Sequence, residues 1–102
     1  MHPDKVSRDR LSKLTDLPNI GAAMARDLQR LGIEQPQQLE HCDALDLYFR
    51  LCDISGVQQD PCVLDTFMSI TAFMQGESAQ PWWRFTERRK KLLSALQKNQ
   101  GA

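Results

Sequence analysis

The sequence predicts an all-α protein, and three observations carry that prediction. Apolar residues recur at helical spacing, as Met24, Leu28 and Leu31 do. Residues that favour helix starts and stops bracket these segments, as Asp60 and Gly32 do. No segment alternates apolar and polar residues convincingly enough to indicate a β-strand. We therefore expect a compact bundle of about five helices.

The N-terminal part is predicted to form two helices joined by a tight turn. Ser7 or Asp4 could cap a first helix that ends near Leu14. A second helix is expected over residues 21–31, and Gly32 is expected to stop it.

The central part is predicted to contain a short connector and two longer helices. Pro36 opens a one-turn connector through Leu39, and Asp43, with Asp46 three residues later, resembles a capping box. That helix is expected to reach about Asp53, and Gly56 ends the following turn.

Asp60 and Pro61 are expected to start the most enclosed helix of the bundle. Its apolar stripe is broad and consists of Val63, Leu64, Phe67, Met68, Ile70 and Met74. A loop is expected over residues 76–81, and a basic helix over residues 83–98. Residues 1–102 are predicted to form one domain, with a hairpin core over about residues 7–75.

The most informative segment is Leu17-Pro18-Asn19-Ile20-Gly21. Pro18 fixes one backbone angle, Asn19 tolerates a left-handed conformation, and Gly21 has no side chain to block close backbone approach. The first amides of the helix that follows have no partner inside the helix. They can therefore face an anion such as a phosphate.

These residues resemble the helix-hairpin-helix motif of DNA-associated proteins. The usual loop is Leu-Pro-Gly-Ile-Gly, followed by a small and then an aliphatic residue, here Ala25 and Leu28. Asn19 stands where Gly is usual, and Ala22 and Ala23 stand where the family often has a polar residue or Lys. The resemblance implies phosphate binding through backbone amides. The alternative is a helix pair that packs and contacts no ligand.

Three further segments extend the resemblance over most of residues 12–91. Residues 47–52, 60–67 and 81–86 look like a small bacterial family named for a pathogenicity locus and for mitomycin resistance. That resemblance implies a helix-hairpin-helix protein of essentially unassigned activity. The order of the helices also resembles a tandem helix-hairpin-helix domain, in which residues 54–57 would be a decayed second hairpin; the alternative is an ordinary turn between two helices. The neighbouring acids Asp53 and Asp60 would repel phosphate from such a hairpin.

The charges are sorted along the chain although its net charge is zero. Residues 1–32, 33–80 and 81–102 carry balances of +2, −7 and +5. A basic surface forms only if the two ends fold onto one side, and internal charge matching is the alternative. The last helix is expected to have a basic face that consists of Arg84, Arg88, Lys91 and Lys98. This face either contacts the phosphates of a nucleic acid or only keeps the chain soluble.

Trp82 and Trp83 are adjacent, so both cannot point into one core from a helix. At least one indole is expected near the surface. It could stack on a base, anchor a protein partner or dock the last helix.

The sequence contains few residues in patterns that are typical of an enzyme's active site. The three cysteines are expected to be reduced, and their spacing matches no zinc site, so neither a metal nor a cofactor is expected. Cys62 is either an activated thiol at a helix start or a buried, inert one. No catalytic triad spacing is present. The absence of a long apolar run or a leader indicates a cytoplasmic protein with no membrane contact.

The sequence therefore predicts a non-catalytic module that binds DNA weakly and without sequence specificity. The expected contact residues are Asn19, Ile20, Gly21, Ala22, Arg26, Arg84, Arg88 and Lys91. The alternative is a protein-interaction adaptor that uses Trp82 and Trp83 and does not bind nucleic acid. A thiol enzyme centred on Cys62 ranks far behind both.

Overall fold

The computed structural model describes the backbone of residues 1–100 and the side chains of residues 1–98. This part of the chain contains four α-helices: α1 Ala22–Arg30, α2 Ala44–Ser55, α3 Pro61–Met74 and α4 Thr86–Gln100. Short 3-10 segments lie at Pro3–Lys5, Arg8–Arg10, Leu14–Asp16, Pro36–His41 and Trp82–Phe85. No strand occurs in residues 1–100, and the all-α prediction is confirmed. The predicted domain also includes residues 101 and 102, which lie outside the described residues.

Helix α3 occupies the centre of the fold. Pro61 starts it, and the Asp60 carboxylate accepts a hydrogen bond of 3.0 Å from the Cys62 amide, as the capping prediction requires. Leu64, Phe67 and Ile70 are fully buried along the helix. Removing such side chains from water stabilises the fold by about 1.5–3 kcal/mol each. The prediction of a most enclosed helix is confirmed.

Helices α2 and α3 form an antiparallel pair. Asp43 caps α2 by accepting a hydrogen bond of 3.1 Å from the Asp46 amide, and Gly56 ends α2 with a φ of +72°. The Gln75 side-chain amide, just after α3, donates to the carbonyl of Cys42, just before α2. The end of α3 therefore meets the start of α2. Helix α2 extends to Ser55, two residues beyond the predicted end.

The prediction of a first helix ending near Leu14 is wrong. Residues 3–16 instead contain three single 3-10 turns. The Asp16 carboxylate accepts hydrogen bonds of 3.0 Å from the amides of Ser12 and Lys13 and one of 3.1 Å from the Ser12 hydroxyl. Because these amides donate forward to a side chain, they cannot donate back to the carbonyls of a preceding helical turn.

A buried ion pair fixes α4 on α3. The Asp65 side chain is fully buried, and its carboxylate accepts hydrogen bonds of 2.8 Å from Arg89 Nε and 2.8 Å from Thr86 Oγ1. These bonds satisfy a charge that would otherwise be costly to bury. Asp65 also raises the pKa of Arg89, so the guanidinium stays charged. The first turn of α4 is therefore held at one place on α3.

Replacing Arg89 with Met should destabilise the protein by about 3 kcal/mol or more, because Asp65 then stays buried without its cation. Urea unfolding followed by circular dichroism measures this loss. The matched control is Lys90→Met, since the exposed Lys90 lies 3.9 Å from the Glu87 carboxylate. This control should change the unfolding free energy by less than about 0.5 kcal/mol. Equal losses in the two variants would contradict the role given to Asp65.

Asp16 should make the protein sensitive to acid. Hydrogen bonds from the Lys13 and Ser12 amides hold the pKa of Asp16 below its usual value of 3.8. Its stabilising contribution is therefore present above the unfolded pKa and is lost as the pH falls through the folded pKa.

We expect the unfolding free energy to fall less in Asp16→Asn than in the wild type when the pH is lowered from about 7 to about 3. Urea titrations at the two pH values give the comparison. Asp9→Asn, an exposed carboxylate in the neighbouring turn, is the control. The same loss on acidification in Asp16→Asn and in the wild type would refute the assignment.

Candidate nucleic-acid interface

The Leu17–Gly21 loop precedes α1 and is anchored by its buried side chains. Leu17 and Ile20 are almost completely buried, and Pro18 is buried between them. Asn19 has a φ of +66°, as the sequence predicted, and is the sole non-glycine residue of the described chain with a positive φ. The loop therefore has a fixed shape.

Asn19 faces the interior of the protein. Its side-chain amide donates to Ser69 Oγ at 3.0 Å and to the carbonyl of Gln80 at 2.8 Å. Its backbone amide donates to the carbonyl of Met1 at 2.7 Å. Asn19 thus joins the loop to α3 and to the segment before the Trp pair, and its own amide is occupied.

The Met1 nitrogen also docks on this loop. It donates to the carbonyls of Leu17 and Ile20, at 2.9 and 2.8 Å. The Ile20 amide donates to the Leu17 carbonyl at 3.4 Å. Of the four predicted amide donors, Asn19 and Ile20 are therefore engaged within the protein.

The remaining predicted donors, Gly21 and Ala22, lie at the open amino end of α1, and the amide of Ala23 lies there with them. Gly21 occupies the cap position without a side-chain hydrogen bond, and Gly21, Ala22 and Ala23 are exposed. Their amides have no acceptor within the described residues. Gly21 has an ordinary extended backbone, and a Cβ added there would touch nothing. The fold therefore does not require glycine at this position, but glycine leaves the amides uncovered.

The Trp pair borders the same loop. A cleft of about 400 Å³ lies between the loop, the N-terminal segment and the indoles. Its lining residues are Met1, His2, Pro3, Asn19, Ile20, Gly21, Trp82 and Trp83. Trp82 is 36% and Trp83 58% exposed, and the rings meet edge to face at 5.7 Å between centroids. The prediction that at least one indole lies near the surface is confirmed.

A 3-10 segment holds the indoles at the surface. The Arg84 amide donates to the Pro81 carbonyl, and Phe85 is buried as an anchor. Sequence reasoning did not include residues 1–3 in the site, because a chain end carries no local signal for docking.

The predicted cationic residues divide into two groups. Arg26 on α1 and Arg84 beside the Trp pair are exposed, and so is Lys91 on α4. Arg88 instead binds Glu77 with hydrogen bonds of 2.8 and 3.2 Å, which lower the pKa of Glu77. Arg88 also lines a second cleft that shares no lining residue with the first.

The predicted second hairpin is the turn between α2 and α3. Gly56 is left-handed there, and Ile54 and Val57 are exposed. The acids Asp53 and Asp60 flank this turn, as the sequence indicates, and both are exposed. The turn thus joins two helices in an acidic setting.

The environment of Cys62 does not activate its thiol. Cys42, Cys52 and Cys62 are half-buried, and burial together with the Asp60 carboxylate raises the pKa of Cys62. This environment opposes a thiolate, so the geometry favours the inert reading of Cys62. Residues 1–98 contain no group of three potential metal ligands, and no described helix is long and apolar enough to cross a bilayer.

Comparison with known proteins identifies the family of this chain. No solved structure matches the chain. The chain is 43% identical over 83 residues to the mitomycin resistance protein McrB of Streptomyces lavendulae, a match that covers 81% of this chain and 79% of that protein. A family model described as pathogenicity locus matches residues 7–91, a range that includes both the Leu17–Gly21 loop and the Trp pair. The chain therefore belongs to the pathogenicity locus family.

Proposed function

We propose that this chain is a non-catalytic module that binds nucleic acid weakly and without sequence specificity. One observation carries the proposal: the uncapped amino end of α1 and the exposed Trp83 indole border the same cleft. In this proposal the Leu14–Asp16 turn, the loop and α1 act as a shortened helix-hairpin-helix. The three free cysteines suit the reducing cytoplasm, where we place the chain.

A phosphate is the ligand that suits the amino end of α1. The helix dipole favours negative charge there, and the amides of Gly21, Ala22 and Ala23 supply donors. Arg26 lies one turn further along α1 and is exposed. Backbone donors contact any phosphate equally, so they confer no sequence preference.

An unstacked base is the group that suits Trp83. Its indole is 58% exposed and is held edge-on by Trp82, so the ring keeps its position. Base stacking on an aromatic side chain contributes about 1–3 kcal/mol and tolerates every base. Arg84, the next residue, is exposed and adds positive charge beside the indoles. Single-stranded or frayed nucleic acid therefore fits the cleft better than intact duplex.

The second candidate is a protein-interaction adaptor. The specific observation in its favour is again the Trp pair, because exposed tryptophans often dominate protein interfaces. Such an adaptor would use Trp82 and Trp83 without the amides at the start of α1. The two candidates differ in whether nucleic acid binds at low salt.

Nucleic-acid binding should be weak and strongly dependent on salt. Fluorescence anisotropy of a labelled oligothymidine of about 15 nucleotides measures it. We expect affinity to fall roughly tenfold or more between about 50 and 200 mM salt, because a few phosphate contacts release counterions. A mixed-sequence strand should bind with similar affinity. Absence of binding to both strands at low salt would reject this function and favour the adaptor.

Two substitutions should separate the phosphate contact from the stacking contact. Trp83→Ala should weaken single-strand binding by about fivefold to a hundredfold, whereas Ile54→Ala, an exposed apolar control that does not line the cleft, should not. Gly21→Val should weaken binding by covering the α1 amides. Gly21 has open space around it, so the variant should still fold, and its circular dichroism checks this.

Arg26→Met and Arg30→Met form a matched pair on α1. Arg30 lies at the far end of the helix, 3.7 Å from the Asp27 carboxylate. Only Arg26→Met should weaken binding, since only Arg26 is near the amino end. Equal losses from both arginines would indicate general charge attraction rather than a site at the start of α1.

A further inference from the structure

A groove of about 410 Å³ separates α2 from α4 and has α3 as its floor. Leu45 of α2 and Leu92 of α4 lie on opposite walls, and Met68 and Ala72 of α3 lie between them. This groove is the second cleft described above. It shares no lining residue with the cleft beside the Trp pair, so it needs a separate explanation.

Apolar side chains continue along both walls beyond the groove. Phe49 follows Leu45 by one turn of α2 and is 48% exposed. Leu96 follows Leu92 by one turn of α4, and both leucines are half-buried. Residues four apart share one face of a helix. A strip of uncovered apolar surface therefore runs beside the groove.

The charges on the two rims of the groove that have no ion-pair partner among residues 1–98 are opposite in sign. On α2, the exposed Asp53 carboxylate lies one turn beyond Phe49. Asp46, one turn before Phe49, already pairs with Arg50 of the same helix at 3.7 Å. On α4, the exposed Lys91 lies next to Arg88 on the helix surface. Arg88 lines the groove but is paired there with Glu77, so Lys91 supplies the basic charge of this rim. The wider charge pattern agrees, since residues 33–80 carry a balance of −7 and residues 81–102 one of +5.

We propose that this groove is the contact surface between two copies of the chain in a symmetric dimer. A two-fold axis parallel to the groove places the α2 wall of one copy against the α4 wall of the other. The acidic rim then faces the basic rim twice, once on each side of the axis. A two-fold axis across the groove would instead oppose acid to acid and base to base.

A second copy is the occupant that the surface itself specifies. A symmetric interface must be complementary to itself, and the surface beside this groove carries an acid on one side, Asp53, and a base on the other, Lys91, with an apolar strip between them. Phe49, on the α2 wall beyond the groove, supplies an exposed aromatic side chain of the kind that such interfaces favour. The proposal does not depend on nucleic-acid binding.

Sedimentation equilibrium without nucleic acid tests the dimer. The wild type should show a monomer-dimer equilibrium at protein concentrations of about 10–500 μM, weakened by added salt. Phe49→Ser should raise the dissociation constant roughly tenfold or more, because it removes the exposed aromatic side chain of the α2 wall. Ile54→Ser is the matched control, since Ile54 is 50% exposed but lies on the opposite flank of the outer face of α2.

Arg50 marks the flank that carries Ile54, because its guanidinium reaches the Leu31 carbonyl beside α1. Ile54→Ser should change the dissociation constant by less than about twofold. At protein concentrations far below the dissociation constant, where the wild type is also monomeric, circular dichroism should show that both variants keep the wild-type fold. A strictly monomeric wild type, or equal effects of the two variants, would overturn the proposal.

Charge reversal tests the orientation of the two copies. Asp53→Lys and Lys91→Glu should each weaken self-association, because each places like charges across the interface. When the two variant chains are mixed, both opposite-charge contacts form again, so a heterodimer should appear. Failure of the mixture to associate more strongly than either variant alone would reject the two-fold axis parallel to the groove.

Discussion

A buried carboxylate on the central helix sets the arrangement of the C-terminal third of the chain. Asp65 is fully buried on α3 and has to be neutralised where it lies. Arg89 and Thr86 supply the partners, and both belong to α4. Because Trp83 precedes Thr86 by three residues, the same contact limits where the indoles can lie. The ion pair between Asp65 and Arg89 therefore helps to fix the position of the Trp pair in the candidate interface.

Asn19 connects the other half of that interface to the same centre. Its left-handed backbone shapes the loop, and its side chain binds Ser69 on α3 and the Gln80 carbonyl before the Trp pair. A glycine at this position would allow the same backbone but could not make these two bonds. The departure from the usual Leu-Pro-Gly-Ile-Gly loop therefore has a structural reason, since the side chain aligns the loop with the indoles.

The charge pattern of the chain is only partly used within the molecule. Arg89 with Asp65 and Arg88 with Glu77 pair the basic helix with acids of the central region. These contacts agree with internal charge matching, one of the two readings of the sequence. Asp46 pairs with Arg50 on α2. Asp53 and Lys91 stay exposed on the rims of the groove, and Arg26 and Arg84 stay exposed on other surfaces. The exposed charges beside the groove thus include both signs, whereas Arg26 and Arg84 are both positive.

The sequence by itself determined the helices whose ends and faces are encoded locally. Asp43, Gly56 and Asp60 mark their helix boundaries by their own hydrogen bonds or backbone preference. Only the tertiary structure decided the rest. Asp16 turned a predicted helix into 3-10 turns, Asn19 faced inward, and the Trp pair came beside the loop. These outcomes depend on partners distant in the chain or on competing side-chain hydrogen bonds, and residue spacing encodes neither.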